Sequence, residues 1–449
     1  RRVPAFYNGM ATGADWMSAA SFVGMAGTLY ALGYDGLAFV LGWTGGFVLV
    51  GVLLAPYLRK FGQYTVPDFL GARYGGNLPR ALGVVVLLAC SFAYLVAQVY
   101  AVGLIAARFL DIPFAVAVYV GLGGILVCSM LGGMRAVTWT QVAQYLVVFT
   151  AYLVPAVWLS WVHTGIPVPQ LSYGQALARI AVIEQSLGVA KPHAAAFAGP
   201  DGSFDITAAA NFFALILCLM VGTASLPHIL TRYFTTPSVR EARQSVAWSL
   251  FFIALVYLTA PAYAAFAKLE VYTHLVGNST GNVSGWLADW VRIGLAGVCD
   301  TADAASALCK GVAGNADGTV QLSELRLDPD AIVLATPGIS NMPFVITGLV
   351  AAGGLAAALA TADGLLLAIA NALSHDIYYR ILQPRADSRR RLLVSRLLLV
   401  VTALVAASVA AWRPASIMTL VAWAFSIAAS GLFPALVLGI WWKRASNSG

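Results

Sequence analysis

Gly9-Met10-Ala11-Thr12-Gly13-Ala14-Asp15-Trp16-Met17-Ser18-Ala19-Ala20-Ser21-Phe22-Val23-Gly24-Met25-Ala26-Gly27 is long and apolar enough to enter a bilayer, yet it holds four glycines, hydroxyls and a carboxylate. A lipid-facing rod has no use for that mixture. It predicts a helix interrupted inside the membrane, because unwound backbone at that depth is tolerated only where it lines a cavity or an ion site. Ala14, Ser18 and Ser21 fall on one helical face. The carbonyls freed near Ala14 and Met17 and the hydroxyls of Ser18 and Ser21 can therefore converge on one point. A carboxylate in a span is functional by default, which marks Asp15.

The rest of the chain supplies the membrane context. Of 449 residues, 60% are hydrophobic and 10% charged, and the mean hydropathy is +0.81. Soluble domains carry roughly 25% charged residues, so a water-facing enzyme is excluded. Uncharged runs of span length give ten candidates: Gly9–Leu32, Gly36–Leu58, Ala81–Ala107, Ile112–Leu131, Val137–Val162, Ala208–Thr231, Val246–Ala267, Asn341–Asp376, Leu392–Trp412 and Ser416–Trp442. With the N-terminus cytoplasmic, eighteen of the 26 Lys and Arg fall on the inner side. Arg108, Arg179, Lys191, Lys268, Arg292, Lys310, Arg326 and Arg413 fall outside, as the positive-inside rule expects. The net charge of +7 then describes orientation, with no nucleic-acid partner implied. No Arg or Lys is placed at mid-membrane.

Two long outer segments, about 163–207 and 268–340, are polar and Gly-rich, with short helices expected at Gly174–Leu187 and Trp286–Leu295. Cys299 and Cys309 share the second and are candidates for a disulfide on the oxidising face. Cys90, Cys128 and Cys218 read as small hydrophobes. Asn315, Asp317 and Glu324, with Gly318 between, resemble a calcium loop from its third ligand onward. Ala313 at the first ligand position favours a plain Asx-rich turn over a weak calcium site. The chain begins without Met and stops just after Trp441-Trp442-Lys443-Arg444, as expected of a portion of a longer protein.

The eighth candidate span offers a surface that matches the first. At 100° per residue, Gly353, Ala357, Ala360, Thr361, Gly364, Ala368, Asn371 and His375 form one small-or-polar stripe, suited to close packing or to a hydrated path. Asp363 lies about 160° around from Thr361, facing another helix or a second polar cavity. The sixth span is interrupted at Gly222-Thr223-Ala224-Ser225-Leu226-Pro227-His228, where Pro227 removes a backbone donor. His228 there reads as a structural hydrogen-bonder. Tyr94, Gln98, Gln141, Gln144 and Ser426 are further polar residues in spans. No metal-ligand spacing, phosphate loop or nucleophile–base pair stands out, so the chemistry is binding without covalent steps. Breaks in spans one and six point to two five-helix repeats of inverted topology with the site between them.

Gly13–Gly24, Tyr64-Thr65-Val66-Pro67-Asp68-Phe69, Leu131-Gly132-Gly133-Met134-Arg135-Ala136, Leu226–Arg232, Ser374-His375-Asp376-Ile377-Tyr378 and Trp423–Ser430 together resemble the sodium/solute symporter family, in its acetate permease-like branch. The resemblance covers nearly the whole chain outside the two long loops. It implies an all-α polytopic membrane protein of LeuT-type fold over residues 1–449, with ten core transmembrane helices in repeats of about 9–162 and 208–442. It also implies a multi-pass protein of the plasma (inner) membrane that carries a small monocarboxylate such as acetate with sodium. The sodium ligands carried over are the carbonyls of Ala14, Met17 and Ala357 and the hydroxyl of Thr361. Ala360 stands where the family often has a hydroxyl, and Gln141 where it often has an Asp in the ion's exit route, so Asp15 is expected to supply the charge. Gln141, Asp363 and Asn371 are candidates for the ion's path. Ser18, Ser21, Tyr94, Gln98, Thr223 and Ser426 are candidates for substrate contact. A proton-coupled carrier, a transporter-like sensor domain of a larger signalling protein and a small membrane partner subunit remain open.

Overall fold

The computed structural model describes residues 3–131, 134–234, 236–279, 285–299 and 317–446. It is almost wholly helical. α1 (Ala5–Trp16) is followed by a π-helical turn, Ala20–Gly24, and α2 (Met25–Leu32). A 3-10 turn, Gly33–Gly36, leads into α3 (Leu37–Leu49), a second π turn, Val50–Leu54, and α4 (Ala55–Phe61). The short α5 (Val66–Tyr74) precedes the long α6 (Asn77–Leu110), α7 (Phe114–Leu131) and α8 (Met134–Thr164). After α9 (Pro169–Ser186) come α10 (Ile206–Ser225) and α11 (Pro227–Phe234), then α12 (Val239–Tyr257), α13 (Ala260–His274) and α14 (Gly285–Arg292). The chain closes with α15 (Ile332–Ile339), α16 (Phe344–Asn371) and its π-helical continuation Ala372–Leu382, α17 (Ser388–Ala411), α18 (Ile417–Gly431) and α19 (Phe433–Trp441).

Helix starts follow from local chemistry. Thr65, Asp205, Ser238, Asp387 and Ser416 accept first-turn amides of α5, α10, α12, α17 and α18 with their side chains. Between α14 and α15, Ala296–Val298 pairs antiparallel with Leu325–Leu327.

Among the described residues, eight helical stretches are long and apolar enough to cross a membrane. The difference from ten spans has a local cause. The break after Trp16 leaves α1 only 12 residues long, and the stretch that qualifies, Ala20–Phe61, contains the Gly33–Gly36 turn. The apolar helix Phe114–Met130 falls just short. Outward faces carry exposed Leu82, Val85, Val120, Phe213, Leu217 and Leu397, an apolar surface that only lipid covers over so many helices. The core lies where α1, α8, α12 and α16 pack together and where α6 and α10 meet α18.

Charge separates to two ends. Arg59 bonds the Pro237 carbonyl, Arg73 the Gly439 carbonyl, and Arg80 and Arg380 meet Asp68 at one end. At the other, Lys191 pairs with Asp35, Arg108 with Asp289, and Arg413 with the Ile293 carbonyl. Lys268 does not lie in a loop: it sits in α13, against the buried Glu184 at 3.5 Å. Glu184 also accepts from Tyr272 and the His193 amide. Burial and the neighbouring Lys268 push His193 down to about 3, so this loop histidine is neutral.

The described part of the second long loop packs against the same end. Its 3-10 turn Pro329–Ala331 meets α2 so closely that a Cβ on Gly27 would lie 1.9 Å from the Pro329 carbonyl oxygen. Asp330 accepts the Ile417 amide at 3.0 Å, and burial, with help from Asp328, pushes its carboxyl up to about 7. Cys299 is disulfide-bonded, while Cys309 lies outside the described residues. Asp317 accepts from the amide and hydroxyl of Thr319, and Glu324 accepts the Gln321 amide. Both carboxylates thus fasten their own turn, which is the Asx-turn geometry; Asn315 lies outside the described residues.

Candidate functional site

α1 ends because Met17 leaves the helical region, with φ −73° and ψ 67°. The Ser18 amide turns back to the Trp16 carbonyl at 2.7 Å, and the Ala19 amide is taken by Gln98 Oε1 of α6 at 2.9 Å. Neither goes to the Ala14 carbonyl. α10 ends because Leu226 is extended, with φ −64° and ψ 120°. Pro227 then opens α11, a position where its missing N–H is no loss.

Two residues before the first break, Asp15 is fully buried and meets three elements. Its Oδ2 accepts Arg232 Nε of α11 at 2.8 Å, and its Oδ1 accepts Gln141 Nε2 of α8 at 3.3 Å. Its main-chain oxygen accepts the Thr361 hydroxyl of α16 at 2.6 Å. Gln141 also donates to the Ala360 carbonyl at 2.8 Å and accepts Arg232 Nη2 at 2.5 Å. The arrangement requires glycine at 364, where a Cβ would stand 2.4 Å from Asp15 Oδ1. Ala14, Met17, Ala357 and Ala360 are all buried around this junction.

Two expectations change here. Arg232 does not sit in a loop but is a buried cation, 3% exposed, beside the first break. Asp15 is consequently no free ligand: its carboxylate is held by a guanidinium and an amide. Charge counting along the sequence put Arg232 with the basic loops because it lies only five residues past Pro227, and linear order does not show that α11 turns inward.

Around the breaks stands an aromatic cage. Trp16 packs edge-on against Trp43 and Phe425, Tyr94 against Phe425 and His228, and Trp43 lies over Tyr257. Ser21 shares a hydrogen bond with Tyr257 at 2.8 Å, and Ser18 lies beside Tyr94. Ser18, Ser21, Tyr94 and Gln98 are thus brought together. Thr223 and Ser426 are not. Thr223 donates to the Leu219 carbonyl and packs on Gly46. Ser426 is on an exposed face, bonded to the Ala422 carbonyl, while its neighbour Phe425 takes the inward position. Trp43, Tyr257 and Phe425 carried no signal in the sequence, since aromatic residues in spans equally serve as interface anchors.

A cavity of about 460 Å³ runs from this junction to the arginine-rich end. His228 and Arg232 line its inner part, Gly364, Ala368, Asn371 and His375 one wall, and Tyr64, Tyr379 and Arg380 its mouth. The lower half of the α16 stripe therefore lines a path, with Asn371 on it. Asp363 is not on that path: its Oδ1 accepts the Ser129 hydroxyl of α7 at 2.5 Å. His228, buried, has no hydrogen-bond partner on either ring nitrogen among the described residues, contrary to a structural hydrogen-bonding role.

At the mouth, Asp68, His375 and Asp376 are the one group of His, Cys, Asp and Glu among the described residues with ligand atoms within 4.8 Å of one another. Arg80 reaches Asp68 at 3.1 Å and Asp376 at 3.8 Å, and Thr65 donates to Asp376 at 2.8 Å. With two arginines already present, the group is a charge-paired clasp between α5 and the end of α16. Burial acts to raise Asp68, but the opposing pull of His375, Arg380 and Arg80 leaves it below the usual carboxylate range.

Interrupted helices meeting at a buried polar junction, with a cavity leading to one end, define a multi-pass secondary transporter. The Sodium:solute symporter family model matches residues 1–284 and 331–449, and the chain belongs to that family. It is 45% identical to an uncharacterized symporter of Cupriavidus necator, over all of this chain and 78% of the relative. In fold it is similar to a substrate-bound, outward-open Na+-coupled sialic acid symporter, with TM-score 0.71 and 16% identity, over 100% of this chain and 81% of the other. It is also similar to Mhp1, a nucleobase-cation-symport-1 family transporter closed around bromovinylhydantoin, with TM-score 0.51 and 11% identity, over 94% and 74%. The chain is accordingly a membrane-embedded, secondary active, cation-coupled solute symporter, and not an enzyme.

Proposed function

We propose that the protein couples the inward movement of sodium to that of a small monocarboxylate such as acetate, by alternating access in the plasma membrane. The observation that carries the reading is the Thr361–Asp15 tie between α16 and the break in α1. It holds the Thr361 hydroxyl against the backbone of the first break, where the carbonyls of Ala14, Met17 and Ala357 would complete an all-oxygen set suited to a hard monovalent cation. Ser18, Ser21, Tyr94 and Gln98 would then meet the solute beside it. In this reading the core is ten helices in two inverted repeats, the N-terminus is cytoplasmic, and the cavity opens to the cytoplasm through Asn371.

Proton coupling is the second reading, supported by Gln141 standing against the Ala360 carbonyl with no carboxylate of its own. Labelled acetate, pyruvate and propionate uptake into proteoliposomes, under sodium and proton gradients separately, decides between them. Sodium-driven acetate uptake is expected. Transport of none of the three under either gradient would leave the sensor reading standing instead.

A further inference from the structure

We propose that Arg232 and His228 form the carboxylate-binding pair of the transported anion, and that the Asp15–Arg232 ion pair is the element that couples this anion to the cation. The proposal rests on the monocarboxylate reading above. His228 and Arg232 stand four residues apart on α11, hence on one face, and both line the inner part of the same cavity. His228 is 2% exposed and brings two ring nitrogens that bond nothing among the described residues. A guanidinium is the side chain whose geometry suits a carboxylate best, because its planar fork donates two parallel hydrogen bonds. Here that fork is turned toward Asp15 Oδ2 and Gln141 Oε1.

Charge arithmetic then gives the coupling. Empty, the junction holds Arg232 and Asp15 and is neutral. An anion that takes Arg232 leaves Asp15 bare in a buried site, and a bare buried charge is strongly unfavourable. A cation that takes Asp15 leaves Arg232 bare in the same way. Only when both solutes bind is neutrality restored, with the anion on Arg232 and His228 and the cation on Asp15 and the oxygens next to it. Each half-loaded state carries one uncompensated charge, so each solute raises the affinity of the other by the same factor. The pair is thus an internal stand-in for the two transported ions.

The test uses the full chain in lipid nanodiscs, with labelled acetate bound in sodium chloride or in choline chloride. In the unmodified protein sodium should tighten acetate binding about 5- to 150-fold, the usual span of coupling factors. Asp15→Asn should bring the ratio of the two affinities to about one, with acetate bound tightly in choline, because Arg232 has lost its competitor. His228→Ala should weaken acetate in both salts and leave the ratio unchanged. Arg232→Gln combined with Asp15→Asn removes both charges, avoids an orphaned ion, and should abolish acetate binding. Retention of the sodium ratio by Asp15→Asn, or of full acetate affinity by the double variant, overturns the proposal while the monocarboxylate reading stands. An unmodified protein that binds no acetate in either salt overturns both.

Discussion

The two helix breaks are built from different materials and do different work. At the first, glycines and small residues let α1 unwind, and the loosened amide at Ala19 is caught by a side chain, Gln98, from another helix. At the second, a proline deletes the donor outright and the chain needs only one extended residue, Leu226, to restart. The first carries an acid two residues before its break, the second a base five residues after its proline. The difference teaches that neither break is self-sufficient: the charge that each brings into the membrane is paired with the other's.

The sharpest way to break this pairing is to remove one charge. Asp15→Ala leaves Arg232 buried without its carboxylate and should destabilise the protein by about 3–5 kcal/mol, read as a large fall in melting temperature in detergent. If the symmetry holds, Arg232→Gln alone does comparable damage, and Asp15→Asn with Arg232→Gln does less than either. Additive losses in the double variant would show that the two breaks act independently. Next in size, Gly364→Ala pushes a methyl group against the Asp15 carboxylate and should cut sodium-driven uptake by an order of magnitude or more with the protein still inserted, a loss comparable to about 1–3 kcal/mol of overpacking. Thr361→Ala removes one hydrogen bond, worth roughly 1 kcal/mol of stability, yet should abolish stimulation by sodium; unchanged stimulation would remove Thr361 from the ion site.

A smaller effect lies away from both breaks. Asp330 keeps its proton in the folded protein up to about pH 7 against an ordinary value of 3.8. The folded state therefore binds more protons than the unfolded one between these values. Stability from this group is complete below about pH 4 and is lost as pH rises to about 7. Asp330→Asn should flatten that part of the melting-temperature profile; an unaltered profile would place the pH dependence elsewhere. Ser426→Ala, on an exposed face, should leave uptake unchanged.

Much of this was legible in the sequence, and the limits have physical causes. Composition and hydropathy gave a polytopic membrane protein, and the glycine-rich start and Pro227 gave both breaks, because these depend on local backbone chemistry. The polar stripe of α16 followed from helical periodicity. Its continuation into the cavity through Gly364, Asn371 and His375 needed the tertiary structure. Arg232 escaped because its partner lies 217 residues away, and a cation near a span end looks the same whether it faces water or a carboxylate. Phe425 and Ser426 show the finer limit: adjacent residues on α18 point to opposite surroundings, and only packing decides which one is inside.

The shortness of α1 has a mechanical consequence. Twelve residues make a lever of about 18 Å, and Gln98 fixes its fulcrum by holding the Ala19 amide. A swing of about 10° about that fulcrum carries the Ala5 end roughly 3–4 Å, while Asp15, about 6 Å from it, travels only about 1 Å at 1.5 Å per residue. The end of the lever can clear a doorway while the Asp15 end moves far less.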